Sequence, residues 1–127
     1  MLIEVYFQQL RDVIEACPVV QSFNLTPENR GSYEGFIRGQ IKFVEGSVLY
    51  LREFVDVETT VDRDMYSYQY MDASDNLIFR YDNTGHHQKL NLPTYPHHKH
   101  EGSEENVLPS EAPLLADVLN EIERLLG

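Results

Sequence analysis

The stretch Ile37-Arg38-Gly39-Gln40-Ile41-Lys42-Phe43 decides the fold, because apolar residues alternate along it with Arg, Gln and Lys. Side chains on a β-strand point alternately to opposite faces, so this pattern predicts a strand with one buried and one wet face. Comparable runs follow at residues 48–55, 65–72 and 77–82, separated by polar segments. Because short connections favour pairing of sequential neighbours, these runs predict an antiparallel meander of three to four strands.

Helical periodicity marks both ends of the chain. Residues 2–16 carry an apolar stripe that Pro18 ends. Near the C-terminus, Ser110 is the expected N-cap of a closing helix, with Pro113 in its first turn and an apolar stripe over residues 114–126. Both stripes need burial, so both helices are expected to pack on one face of the meander.

The segments between these elements complete the expected architecture. Residues 19–25 alternate weakly and are the candidate for a first strand, whereas residues 26–31 have turn composition. Pro93 and Pro96 are expected to exclude a central strand or helix interior up to His100. The expected fold class is α+β: an N-terminal helix, the meander, a loop rich in histidine and proline, and a C-terminal helix.

Composition restricts the class of protein. A length of 127 residues and an apolar fraction of 42% fit one folded domain, residues 1–127. The net charge of −11 argues against broad electrostatic attraction to nucleic acid. The lone Cys17 excludes an internal disulfide, and the N-terminus carries an acid where a secretory signal carries basic residues. No run approaches the roughly 18 apolar residues of a membrane span, so we expect a cytoplasmic protein with no membrane partner.

All five histidines lie within residues 86–100. Between residues 80 and 100, Asp82 is the only acid, against Arg80, Lys89 and Lys99. An acidic protein that keeps one basic and titratable segment indicates a local site for an anion rather than a general polyanion surface.

The strand before this segment brings two charged residues to one face. Arg80 and Asp82 are two positions apart, so they project together. They have two interpretations: a salt bridge on an exposed sheet face, or an arginine fork for phosphate beside an aspartate that orients a histidine. In an extended stretch His98 and His100 share a face, which leaves His97 facing the core or Asp82.

The same residues resemble a known family. The run Arg80-Tyr81-Asp82-Asn83, the pair His86-His87 and the run Pro96-His97-His98-Lys99-His100 are similar to the signature of the TumE family. The preceding Tyr66-Ser67-Tyr68-Gln69-Tyr70 also resembles that family. The resemblance implies the toxin half of a toxin–antitoxin pair, with an antitoxin protein as its partner, and it supplies no reaction.

The residues favour first a small metal-independent ribonuclease. Cleavage of RNA by its own 2′-hydroxyl needs a base, an acid and cations, which histidine, arginine and lysine supply near neutral pH. The candidate catalytic residues are His97, His98, Lys99, His100 and Asp82. The candidate RNA-binding residues are Arg80, Tyr81, Asn83, His86, His87 and Tyr95.

Two other classes of function stay open. A non-catalytic interaction module would use the loop, the acidic helices and the tyrosine face to bind a protein. A metal site would use His97, His98, His100 and Asp82 as ligands of a divalent ion; the ribonuclease hypothesis needs no cofactor. The histidine spacing matches no strong zinc motif, so the metal site ranks third.

Overall fold

The computed structural model describes residues 1–85 and 90–127. Within these residues, a helix near each end of the chain packs against an antiparallel sheet, and the seven strands of the sheet lie in sequential order. The elements are α1 (Ile3–Glu15), β1 (Val20–Asn29), β2 (Glu34–Phe43), β3 (Val48–Asp56), β4 (Asp62–Met71), β5 (Leu77–Asp82), β6 (His98–Glu101), β7 (Val107–Pro109) and α2 (Leu115–Leu126). The two terminal helices and the meander topology are confirmed, but the expected three to four strands are too few.

The additional strands lie where proline and turn residues predicted irregular backbone. β1 continues through Pro27, which pairs with Ile37; this is tolerated because β1 is an edge strand and its outer N–H groups need no partner. β6 begins two residues after Pro96 and lies between β5 and β7. The expectation that proline excludes a central strand up to His100 is therefore wrong, because Pro96 restricts its own backbone and that of its neighbour, not that of His98.

The C-terminal helix begins later than its sequence signals indicate. Ser110 is not the N-cap, since α2 starts at Leu115 and the Leu114 N–H donates to Asp117 Oδ2 at 2.9 Å. The segment before the helix is held by Arg63, whose guanidinium donates to the carbonyl oxygens of Ala112 and Pro113 at 3.0 and 2.6 Å. These carbonyl contacts compete with a helical turn at residues 110–113.

Both helices pack on one face of the sheet, as their stripes predict. Gly35 allows close approach of α1, because a Cβ there would meet Phe7 at 2.7 Å and Ile3 at 2.9 Å. Tyr66, Tyr68 and Tyr70 of β4 are buried in this core. Among the described residues, no helix has the length and apolarity required to cross a membrane.

A buried carboxylate links α1 to the sheet within this core. Glu53 of β3 is fully buried and accepts hydrogen bonds from the hydroxyls of Tyr6 and Tyr68, the latter at 2.6 Å. Arg63 in turn donates to the Tyr68 hydroxyl at 2.9 Å. Burial raises the pKa of Glu53, against the lowering effect of the two tyrosine hydrogen bonds and Arg63.

Candidate functional site

The face of the sheet that points away from the helices carries two rows of polar side chains. Antiparallel register places residues directly opposite one another on neighbouring strands, so each row runs across the strands from β1 to β6. One row consists of Thr26, Arg38, Arg52, Ser67, Asp82 and His98. The adjacent row consists of Asn24, Gln40, Tyr50, Gln69, Arg80 and His100. We call these two rows the polar face.

The polar face is hollowed by two open depressions. One, of about 480 Å³, extends from Asn24 and Thr26 to Arg52, Ser67 and Gln69. The other, of about 590 Å³, shares those last three residues and continues to Arg80 and Asp82. The depressions therefore form one continuous surface that ends at Asp82.

Asp82 is the centre of a buried polar cluster. Its Oδ1 accepts from the backbone N–H and the hydroxyl of Thr84 at 3.1 and 3.0 Å, and lies 2.8 Å from His98 Nε2. Its Oδ2 accepts from Arg80 Nε at 2.9 Å and lies 3.7 Å from His100 Nε2. Burial opposes ionisation of this carboxyl, but the Thr84 N–H, Arg80 and His98 outweigh it and hold the pKa of Asp82 below its usual range.

His98 and His100 are presented to Asp82 by β6. Each is 1% exposed, and the two rings meet edge to face with centroids 4.9 Å apart. The Nδ1 atom of His98 lies 2.9 Å from the Pro96 carbonyl oxygen, and that of His100 lies 2.8 Å from the Glu104 carbonyl oxygen. Their Nε2 atoms both face the Asp82 carboxylate. We call Asp82, His98 and His100 the Asp82 cluster.

Arg80 is held by carboxylates on both sides. Besides Asp82, it donates from Nη1 and Nη2 to the Glu104 carboxylate at 2.6 and 2.7 Å, and from Nη1 to Gln69 at 3.2 Å. The salt bridge between Arg80 and Asp82 therefore forms, with Asp82 buried, and the fork of Arg80 binds the Glu104 carboxylate.

Other predicted site residues lie apart from the Asp82 cluster. His97 stacks on Tyr66 with centroids 5.8 Å apart, and its Nδ1 is 2.9 Å from the Tyr66 hydroxyl. Lys99 and Tyr81 lie on the helix side, where both donate to Glu121 of α2, at 3.1 and 2.6 Å. These three side chains are thus occupied in the helix-facing layer.

The remaining predicted residues lie at the ends of the strands. Asn83 accepts from the Tyr66 N–H at 3.0 Å and donates to the Asp64 carbonyl oxygen at 3.2 Å, which fixes the start of β4. The Tyr95 hydroxyl donates to the Gly85 carbonyl oxygen at 3.2 Å. The predicted RNA-binding residues His86 and His87 lie outside the described residues.

Three residues of the polar face were missed by the sequence reasoning. Arg38 and Arg52 are exposed and directly opposite each other, and Tyr50, 37% exposed, follows in the adjacent row. The alternation of residues 37–43 predicts that Arg38 is exposed to solvent. It does not show which residue of the next strand lies opposite Arg38.

Comparison with protein families identifies a family to which the chain is similar. A family model described as Toxin TumE matches residues 10–126, which is nearly the whole chain and includes the polar face and the Asp82 cluster. The match confirms the resemblance carried by residues 66–70 and 80–100. No curated protein matches the chain, and no solved structure matches it.

Proposed function

Because the chain belongs to the TumE toxin family, we propose that it is the toxin of a toxin–antitoxin pair and that it cleaves RNA beside the Asp82 cluster. The partner that this membership implies is an antitoxin protein. The observation that carries the proposal is the continuity of the polar face, which leads from Arg38 and Arg52 to Asp82 along one cross-strand row.

The opposed arginines favour a phosphate ligand. Like charges directly opposite each other destabilise a sheet, yet Arg38 and Arg52 form such a pair. Within residues 1–85 and 90–127, no carboxylate lies within ion-pair distance of either guanidinium. A phosphate that accepts hydrogen bonds from both would remove the repulsion, and planar guanidinium groups suit phosphate oxygens. This local pair offers an anion a site even though the chain is acidic overall.

Tyr50 favours a nucleic acid over a small anion. Its ring is partly exposed between Gln40 and Gln69 on the polar face. An aromatic ring on an open sheet stacks an unpaired base, and flanking amides can pair with the base edges. A single-stranded segment would place its backbone on the arginines and one base on Tyr50.

The Asp82 cluster supplies the reactive end of this surface, in a form that differs from the sequence-based hypothesis. That hypothesis uses the histidines as free acid and base. Here both nitrogens of His98 and of His100 face acceptor atoms of the protein. The orientations of both rings are therefore fixed by the protein, and the cluster presents its two imidazoles as one unit beside the phosphate, where stabilisation of charge is the largest single requirement of such a reaction.

The proposal is tested by growth and by RNA cleavage. Expression of the chain without its antitoxin should stop growth, and the purified protein should cleave single-stranded RNA. His98→Ala and His100→Ala should each lower the cleavage rate by about 10²-fold or more. His97→Ala is the matched control and should retain activity, because His97 lies on the helix side.

The binding surface has its own test. Arg38→Gln or Arg52→Gln should weaken RNA binding and reduce the slope of log affinity against log salt by about 0.7 for each phosphate that the variant no longer neutralises. Tyr50→Ala should cost about 1–3 kcal/mol of binding free energy. Arg30→Gln is the control, since Arg30 pairs with Glu28 away from the polar face. If the arginine variants are as toxic as the parent and the protein cleaves no RNA, the polar face is a docking surface and the ribonuclease proposal is wrong.

A further inference from the structure

Each histidine of the Asp82 cluster lies between two acceptors. Backbone carbonyl oxygens and an ionised carboxylate only accept hydrogen bonds. The Nδ1 atoms of His98 and His100 face the carbonyl oxygens of Pro96 and Glu104, so each Nδ1 carries the proton. In a neutral ring the Nε2 atom then presents its lone pair to Asp82. A protonated Nε2 would donate to Asp82, whereas the lone pair of a neutral ring can bind a cation beside the carboxylate.

A metal ion fits the neutral rings, because both Nε2 lone pairs and the carboxylate point to one region and can bind one ion. We propose that Asp82, His98 and His100 hold one divalent transition-metal ion. The three ligating atoms lie within 4.8 Å of one another. Two imidazoles and a carboxylate suit zinc or iron(II) and do not suit magnesium or calcium, which take oxygen ligands.

The surroundings of the three ligands match those of metal sites. Ligating histidines almost always donate their other ring N–H to a carbonyl or carboxylate, which fixes the tautomer, and Pro96 and Glu104 fill that role here. Ligating carboxylates are likewise held by hydrogen bonds, and Arg80 and Thr84 hold Asp82. The orientation of all three ligands is therefore set by the protein before an ion binds.

The carboxylate also has one acceptor position to spare. A carboxylate offers about four acceptor positions. The Thr84 N–H and hydroxyl use the two positions of Oδ1, and Arg80 Nε–H uses one of the two on Oδ2. The fourth position therefore belongs to Oδ2, which lies 3.7 Å from His100 Nε2. The charge of Arg80 near the ion is balanced by its bidentate pair with Glu104.

The metal-site proposal concerns ion binding alone, so it does not depend on whether RNA is the substrate. Three protein ligands leave further coordination positions for water or a substrate oxygen. Asp82 also lies at the end of the polar face. In the proposed ribonuclease the ion would supply the positive charge that the Asp82 cluster brings to the phosphate.

The test is binding of zinc and cobalt(II) to the purified full-length chain, prepared without a polyhistidine tag and stripped with chelator. Equilibrium dialysis with metal analysis should give one ion per chain, and cobalt should produce visible absorption of a nitrogen- and oxygen-ligated ion. Asp82→Asn, His98→Ala and His100→Ala should each weaken binding by more than about 100-fold. His97→Ala is the control and should bind as the parent does, because His97 stacks on Tyr66 on the helix side of the sheet.

Folding of each variant is measured separately, so that loss of a metal ligand can be distinguished from loss of the folded structure. Metal should raise the thermal midpoint of the parent in a concentration-dependent way, since it binds the folded state. It should leave the midpoint of a folded His100→Ala variant unchanged. A parent that binds no ion, or ligand variants that bind as tightly as the parent, would overturn the proposal. Metal binding without RNA cleavage would leave the site in place and refute only the ribonuclease.

Discussion

Removing the hydroxyl of Tyr6 probes the buried polar link between α1 and the sheet. In Tyr6→Phe, the fully buried Glu53 keeps the donor Tyr68 and loses its other hydroxyl donor. A hydrogen bond to a charged group contributes about 1.5–3 kcal/mol, and a bond between neutral groups about 0.5–1.5 kcal/mol. The loss in free energy of unfolding caused by Tyr6→Phe should therefore depend on whether Glu53 is ionised.

The sign of this dependence follows from the pKa of Glu53. Burial raises that pKa, whereas the hydrogen bond from Tyr6 lowers it. The folded protein thus keeps a proton on Glu53 at pH values where the unfolded chain has released it. Glu53 contributes stability that is lost as pH rises through its folded pKa, and Tyr6→Phe raises the pKa of Glu53 further and enlarges the loss. The variant should lower the free energy of unfolding by about 0.5–1.5 kcal/mol at a pH below the folded pKa of Glu53 and by about 1.5–3 kcal/mol at a pH above it.

Urea unfolding of parent and variant at both pH values measures the two costs. Tyr70→Phe is the matched control, since the Tyr70 hydroxyl contacts the Ser47 hydroxyl at 2.7 Å and does not contact Glu53. Its cost should be about 0.5–1.5 kcal/mol at both pH values. A Tyr6→Phe cost that is equal at both pH values would refute the reasoning, because the hydroxyl would then not sense the charge on Glu53.

Other substitutions test the core, the sheet and the polar face. Leu119→Ala, at a position 2% exposed in α2, should lower the free energy of unfolding by about 2–5 kcal/mol, measured by urea denaturation. Asn83→Ala should cost about 1–3 kcal/mol and accelerate hydrogen exchange at the Tyr66 amide, which loses its acceptor. Arg38→Gln should stabilise the protein by about 0.2–1 kcal/mol by ending the opposition to Arg52, while it weakens RNA binding; a destabilised variant would contradict that account.

The elements that could be predicted from the sequence are those whose side chains alternate between core and solvent. Ile37 and Ile41 are buried while Arg38 between them is exposed, which is the period-two pattern of a half-buried strand. The stripes of α1 and α2 likewise predicted which face each helix buries. In these segments local pattern and tertiary burial agree, so the sequence alone is informative.

The strand that was predicted too short, β1, and the two that were missed, β6 and β7, depend on tertiary pairing rather than on local pattern. β1 carries Pro27 and several exposed residues, and it is ordered by its register with β2. β6 has four residues and β7 has three, each too short to show a period. The pairing of β6 with β5 and of β7 with β6 determines them, and such non-local pairing overrides local preference.

The same limit applies to the candidate site. Strand period alone placed His98 and His100 on one face and His97 on the other, which is the arrangement found. The opposition of Arg38 and Arg52 depends on the register of β2 against β3. A shift of one residue in that register would place Leu51 or Glu53 opposite Arg38, and the register is set by the core side of the sheet.

The two buried carboxylates on opposite faces of this sheet, Glu53 and Asp82, differ in the direction of their pKa shifts, and this difference favours the polar face for the proposed cation. Glu53 receives only neutral hydroxyl donors directly, and burial raises its pKa, so the folded protein favours its protonated form. Asp82 is as deeply placed, but Thr84, Arg80 and His98 hold its pKa below the usual range and keep it anionic. Neutral donors make a carboxyl into a structural link, whereas charged and backbone donors preserve its charge for a ligand. The environment of each carboxylate thus makes Glu53 part of a structural link and keeps Asp82 anionic, as the proposed metal site requires.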